Sequence, residues 1–320
     1  MTVRFVARRV VAAVPAVAVL ITVTFVLVHL APGDPVVALG GEHGDPAHHA
    51  FVRARFGLDR PWPEQLAVWV GRVLQGDLGA SYVHGRPVIH LIAERMLPTF
   101  LLLGAALVVS TGLGLALGSL AARRARRPLD LLLRLGAAVG VALPSFWLAQ
   151  LALLALALGL GWFPVQGLTD ARRQLTGLAW ALDVLHHLAL PAMVLAAAEL
   201  ALTTRLVRTG LLETLEADYV QTARAKGLDE RRVHHHALRN ALLPVATVVG
   251  ARVGMFLTGA VLVEVVFAWP GLGRLLVSAV ETRDHPVLLG ILLVASVTVI
   301  AANLVTDLAC GWLDPRIRYR

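Results

Sequence analysis

Three consecutive histidines, His234–His235–His236, form the chain's most obvious run of metal-ligating side chains. On a helix, neighbouring residues point about 100° apart, so the three cannot converge on one ion. They are expected to be solvated, as are the pairs His48–His49 and His186–His187. The only lysine, Lys226, is followed by Gly227, whereas a phosphate-cradling Walker A loop needs Gly-Lys-Ser/Thr. Neither H-E-x-x-H nor G-x-S-x-G occurs. The lone Cys310 lies in an apolar run, with no histidine and carboxylate arguable as partners. The expectation is a chain without catalytic residues, resident metal or cofactor, and therefore not an enzyme.

Two charges stand out by their setting. Glu199 and Arg252 lie inside apolar stretches, nine residues before Arg208 and eight after Pro244. At about 1.5 Å per helical residue, both sit roughly 12–14 Å from those ends. Each alone is costly in hydrocarbon, on the order of 2.5–3.5 kcal/mol. An ion pair, or a shared polar site facing a bundle or pore, is expected; the alternative is that each faces a water-filled pathway separately, with Arg252 touching substrate.

The elements that position these residues are membrane spans. Hydrophobic residues make up 57% of 320 and charged residues 16%, with mean hydropathy +0.72. A soluble domain is only about 45–50% apolar. Six stretches can cross roughly 30 Å of hydrocarbon: about 10–30, 98–121, 131–160, 188–208, 244–266 and 287–312. The first is too long for a signal core and lacks a small-residue cleavage site, so it is read as retained. The fold expected is an all-α polytopic membrane protein, with residues 1–320 as a single transmembrane domain.

Basic side chains favour the cytoplasmic face. With the N-terminus inside, Arg4, Arg8 and Arg9 fall there, then Arg123, Arg124, Arg126, Arg127 and Arg134. So do Arg205, Arg208, Arg224, Lys226, Arg231, Arg232 and Arg239, and finally Arg316, Arg318 and Arg320. Both termini are expected in the cytoplasm and 209–243 as a cytoplasmic loop. The net charge of +8 is assigned to topology and anionic lipid, not to nucleic acid.

Residues 31–97 are the largest external region, with a turn at Gly33–Asp34–Pro35 and an amphipathic helix from about Glu64 to Leu74. Residues 161–187 follow, with Trp162, Pro164 and Trp180 as interface anchors. In 267–286 the turn residues Pro270, Gly271 and Gly273 break two apolar runs and suit a compact or re-entrant piece.

The loop EADYVQTARAKGLDERRVHHHALRNALLP, 216–244, reads as helix, glycine turn, helix. Asp218 with Gln221 forms a variant capping box, and Gly227 suits a left-handed stop. Asp229 caps a second helix whose Val233, Ala237, Leu238, Ala241 and Leu242 fall at helical spacing.

This stretch resembles the signature loop of importer permeases in the ATP-binding-cassette class. The generic pattern Glu-Ala-Ala, three residues, Gly falls on Gln221, Thr222, Ala223 and Gly227, of which Ala223 and Gly227 match strictly. DYVQTARAKG…HALRNALLP is similar to the subfamily importing dipeptides, oligopeptides, nickel chelates and glutathione. GDP at 33–35, GDLGASY at 76–82, LPSFW at 143–147, FAWPGLGR at 267–274, RDHP at 283–286 and LDPRIR at 313–318 extend the resemblance over nearly the whole chain. The long external region resembles that of the first of two permease subunits.

The resemblance implies a type I importer permease in a bacterial inner membrane. Its implied partners are a second homologous permease, cytoplasmic ATP-binding subunits, an external substrate-binding protein and membrane lipids. It implies an ATPase-coupling role for Asp218, Tyr219, Gln221, Thr222, Ala223, Arg224, Lys226 and Gly227. The competing readings are an ATPase-independent secondary transporter or channel, which paired inverted repeats would favour, and a membrane enzyme.

Overall fold

The computed structural model describes residues 3–30 and 57–313, with Val36, Ala47, Ala50, Phe51, Arg53 and Ala54 between them. Gly33–Asp34–Pro35, His48–His49 and Arg316, Arg318 and Arg320 lie outside the described residues. Among those described, the regular structure is helical apart from an isolated bridge between Ala80 and Pro87. The helices are α1 (Val3–Leu30), α2 (Trp62–Val73), α3 (Val88–Arg123), α4 (Pro128–Ala142), α5 (Ser145–Ala152), α6 (Gly177–Leu215), α7 (Asp218–Ala225), α8 (Glu230–Ala251), α9 (Val253–Val266), α10 (Leu272–Glu281) and α11 (His285–Leu313).

Among the described residues, four helices hold stretches long and apolar enough to span a membrane: Val11–Leu30, Val88–Arg123, Gly177–Leu215 and His285–Leu308. Two bent pairs bring the number to six if each is one span. Many apolar side chains face outward, among them Leu97, Val108, Leu132 and Val305. Lipid tails solvate such surfaces, so burial is not required of them.

Two expected boundaries are corrected. The stretch 131–160 is not one straight helix, because α4 and α5 meet at 106°. The proline ring of Pro144 disfavours the helical conformation for the residue before it, and Leu143 is extended at φ −81°, ψ 126°. A π-helical turn, Leu153–Gly159, continues α5. Conversely, Pro244 does not begin a new segment: α8 runs through it to Ala251. The break falls at Arg252, which ends α8 and precedes α9, with a 57° bend.

The chain divides into two compact units. One comprises 1–99 and 270–301. Its core joins Leu78, Val88, Leu91 and Ile92 to Leu272 and Leu275 of α10 and Val287, Leu288 and Ile291 of α11. Pro270, Gly271 and Gly273 lead into α10, where Gly273 is buried. Left-handed backbone in 267–286 falls on Ala268 and Arg283.

The other unit comprises 100–269 and 302–320 and is centred on α6. The 39 residues of α6 extend about 58 Å at about 1.5 Å each, well beyond the hydrocarbon. Its N-terminal half packs with α3, α5 and α9 around Leu102, Ala196, Phe256, Val263 and the fully buried Trp269. Its C-terminal half lies against α3 where Gly114 and Gly118 repeat at four-residue spacing. A Cβ at Gly118 would stand 2.7 Å from Thr204 O, and one at Gly114 2.7 Å from Thr203 Cβ. Only glycine permits that approach, as in small-x-x-x-small helix pairs.

Candidate functional site

The polar loop is built from local signals. Helix α7 begins at Asp218, but Ala217 is its N-cap, extended at φ −69°, ψ 147°, with no side-chain cap. The expected capping box of Asp218 and Gln221 is therefore corrected. Asp218 lies in the first turn, where its charge still favours the helix N-terminus. The C-terminal end is a Schellman turn: Gly227 N donates to Arg224 O at 2.9 Å and Leu228 N to Ala223 O at 3.2 Å. Gly227 has φ +79°, the left-handed region that a side chain resists. Asp229 then caps α8, accepting from Arg231 N at 3.3 Å.

Packing fixes which face of α7 is presented. Val220 is buried with Ala122 of α3, Leu211 of α6 and Val233, Ala237 and Ala241 of α8, and Ala223 joins that cluster. Asp218, Tyr219, Gln221, Thr222, Arg224, Lys226 and Gly227 are exposed. Arg224 Nε donates to Glu230 at 2.8 Å across the glycine turn. Asn240 Nδ2 donates to the Tyr219 hydroxyl at 2.8 Å. Between α7 and α8 lies a groove of about 670 Å3, with Tyr219, Thr222, Lys226, His236 and Asn240 on its walls. His235 and His236 are exposed as expected, whereas His234 is buried with its Nε2 unpartnered. In the 161–187 region, His186 is exposed, with Nε2 2.9 Å from Trp162 O, whereas His187 is buried rather than solvated: it lies on the packed face of α6 with Val184 and Leu188, and its Nδ1 is 2.8 Å from Asp183 O.

Glu199 and Arg252 meet. Arg252 Nε lies 2.8 and 2.9 Å from the two carboxylate oxygens and Nη2 2.7 Å from Oε1. The Glu199 side chain is 11% exposed and that of Arg252 32%. The pair joins mid-α6 to the break between α8 and α9.

A second pair was not among the residues singled out from the sequence. Arg208, nine residues along α6 from Glu199, makes a two-pronged contact with Asp130 of α4: Nε to Oδ1 at 2.6 Å and Nη2 to Oδ2 at 2.8 Å. The left-handed Arg126 adds its backbone N–H to Oδ2 at 3.0 Å. The Asp130 side chain is 1% exposed. The signal available was an acid two residues past a Pro-initiated helix, in a segment otherwise rich in arginine.

In the first unit, two of the sequence stretches quoted above come together. Asp284 of RDHP accepts from Ser81 Oγ, from Tyr82 N at 3.1 Å and from Val83 N at 3.4 Å. Asp284 and Ser81 are both buried. Burial, reinforced by the Asp284 charge, pushes the Tyr82 phenol well above the ordinary tyrosine range.

Residues 114–319 match the family described as binding-protein-dependent transport system inner membrane component, and residues 2–103 match its N-terminal family. The chain is 36% identical to the oligopeptide transport system permease protein AppB of Bacillus subtilis, over 98% of this chain and 99% of that protein. It is 38% identical to the dipeptide transport system permease protein DppB of Escherichia coli K12, over 99% of each. It is also 38% identical to the glutathione transport system permease protein GsiC of Salmonella paratyphi A, again over 99% of each.

Proposed function

Because this chain belongs to the binding-protein-dependent inner membrane permeases, and so is a permease subunit of an ATP-driven importer, we propose that its cargo is a di- or oligopeptide and that α7 is the element its ATPase moves. The observation that carries the coupling reading is the presentation of α7. One face is locked to α6 and α8 through Val220 and Ala223, while Tyr219, Gln221, Thr222, Arg224 and Lys226 face away. A helix held in this way passes a push to α6 and α8 as a rigid-body movement.

The chain forms half of the translocation pore, a second homologous permease the other half, and paired cytoplasmic ATP-binding subunits drive the switch between the two access states. It lies in a bacterial inner membrane with both termini and loop 209–243 in the cytoplasm. An external binding protein meets 31–97 and 267–286, where Pro270, Gly271 and Gly273 shape the contact. The peptide reading is supported by the names of relatives such as the oligopeptide and dipeptide permeases.

The test is vesicle uptake of a labelled dipeptide by the complete transporter, with cysteine at Tyr219 for crosslinking to the ATPase. ATP-dependent uptake and a crosslink at Tyr219 are expected. Uptake driven by an ion gradient without ATP, or the absence of any crosslink from Tyr219 to the ATPase, would overturn the reading.

A further inference from the structure

In the unit of 1–99 and 270–301 lies a chamber of about 390 Å3 that the transport reading leaves unused. Its walls include Phe25 and His29 of α1, Trp69 and Arg72 of α2, Tyr82, and His285 and Leu289 of α11. We propose that this chamber binds the anionic headgroup of a phospholipid from the surrounding membrane.

Its level is set by the spans. His29 lies in the last turn of the stretch Val11–Leu30, and His285 is the first residue of His285–Leu308. Both mark the depth at which hydrocarbon gives way to headgroups. One turn toward the hydrocarbon on each helix, the walls are Phe25 and Leu289, which are apolar. Donors among the other walls are Arg60, Gln65, Trp69 and Arg72. The chamber thus combines apolar walls on the two spans with donors from the region outside them.

The polar end suits an anion. Arg72 has no carboxylate partner among the described residues, and no Asp or Glu is among the described walls. Arg60, a further wall residue, pairs with Glu64 at 3.2 Å at the exposed margin. The indole N–H of Trp69 is buried without an acceptor among the described residues. His29 is already held, Nδ1 at 2.8 Å from Phe25 O and Nε2 at 3.2 Å from Gln65 Oε1, so it serves as a wall. Helix α2 adds an independent sign. It buries no residue, exposes Trp62 and Val68, and carries Glu64 and Arg72 at its two ends. Such an amphipathic helix suits the plane of the interface. The volume is near the lower end of small-molecule sites, about 300–1,000 Å3, and fits a glycerol phosphate with its acyl chains left in the bilayer.

The test is native mass spectrometry of the full chain in detergent, offered equal phosphatidylglycerol and phosphatidylcholine. One retained phosphatidylglycerol is expected in preference to phosphatidylcholine. Arg72→Gln should lower that preference about tenfold, the size of one charge-assisted hydrogen bond. Trp69→Phe should lower it less, and Arg172→Gln, on the exposed 161–187 region, not at all. Circular dichroism of each variant checks that the helices persist. Unchanged retention in Arg72→Gln would overturn the proposal. So would displacement of the lipid by millimolar inorganic phosphate, which marks a free-anion site, or by a dipeptide, which marks a substrate site.

Discussion

Two ion pairs sit nine residues apart on α6, and they differ in what they fasten. Asp130–Arg208 closes the turn between α3 and α4 onto α6, and the carboxylate takes two guanidinium contacts and a backbone N–H. Both carboxylate oxygens are engaged and the acid is buried. Glu199–Arg252 joins α6 to a residue that ends one helix and precedes the next across a 57° bend. Its arginine is about a third exposed. The first has the character of an anchor and the second of a hinge contact. Equal chemistry on one helix therefore takes on different work according to how regular the backbone is at the partner.

The largest effect is expected from removing the anchor. Asp130→Asn strands Arg208 and loosens the Arg126 turn, at about 3 kcal/mol of stability. A clear drop in thermal unfolding temperature in detergent, with low yield, is the expected outcome. Unchanged melting would erase the distinction between the pairs.

Glu199→Gln comes next. Its partner is partly solvated, so the stability loss should be smaller, about 1–2 kcal/mol. Transport should suffer more than melting does. The exchange Glu199→Arg with Arg252→Glu should recover part of the transport. Wild-type uptake by the single variant would remove the hinge assignment.

Gly227→Val tests the loop with both pairs intact. A β-branched residue in left-handed backbone costs about 1–3 kcal/mol locally. Nothing lies within 4 Å of the added Cβ, so the effect is conformational rather than steric. ATP hydrolysis uncoupled from uptake, or lost ATPase assembly, is expected, at near-normal melting of the isolated chain. Normal coupling would show that the turn tolerates distortion and that only the pairs transmit force.

The smallest effect is expected from Arg224→Gln. The Arg224–Glu230 contact is exposed, and such pairs contribute little. Melting should not change measurably, while ATPase affinity should fall if this face of α7 docks. An unchanged affinity would confine docking to Tyr219, Thr222 and Lys226.

What the sequence determined is local. Apolar length alone announced the spans. The stop at Gly227, the cap at Asp229 and the helical spacing of Val233, Ala237 and Ala241 were legible because each depends on bonds or contacts reaching only a few residues. α2 was legible within two residues for the same reason. The charges Glu199 and Arg252 drew notice because they interrupt apolar runs, and their matching depths followed from helix rise. Asp130 gave no such signal: arginines surround it in sequence, and nothing there selects Arg208, 78 positions away. Ser81 and Asp284 are 203 positions apart. Those contacts, the 106° bend at Leu143–Pro144 and the choice of Val220 as the buried face of α7 were decided only by tertiary structure. The reason is physical: a cap or turn is satisfied by its own neighbours, whereas a buried charge is satisfied by whichever helix packing brings within reach.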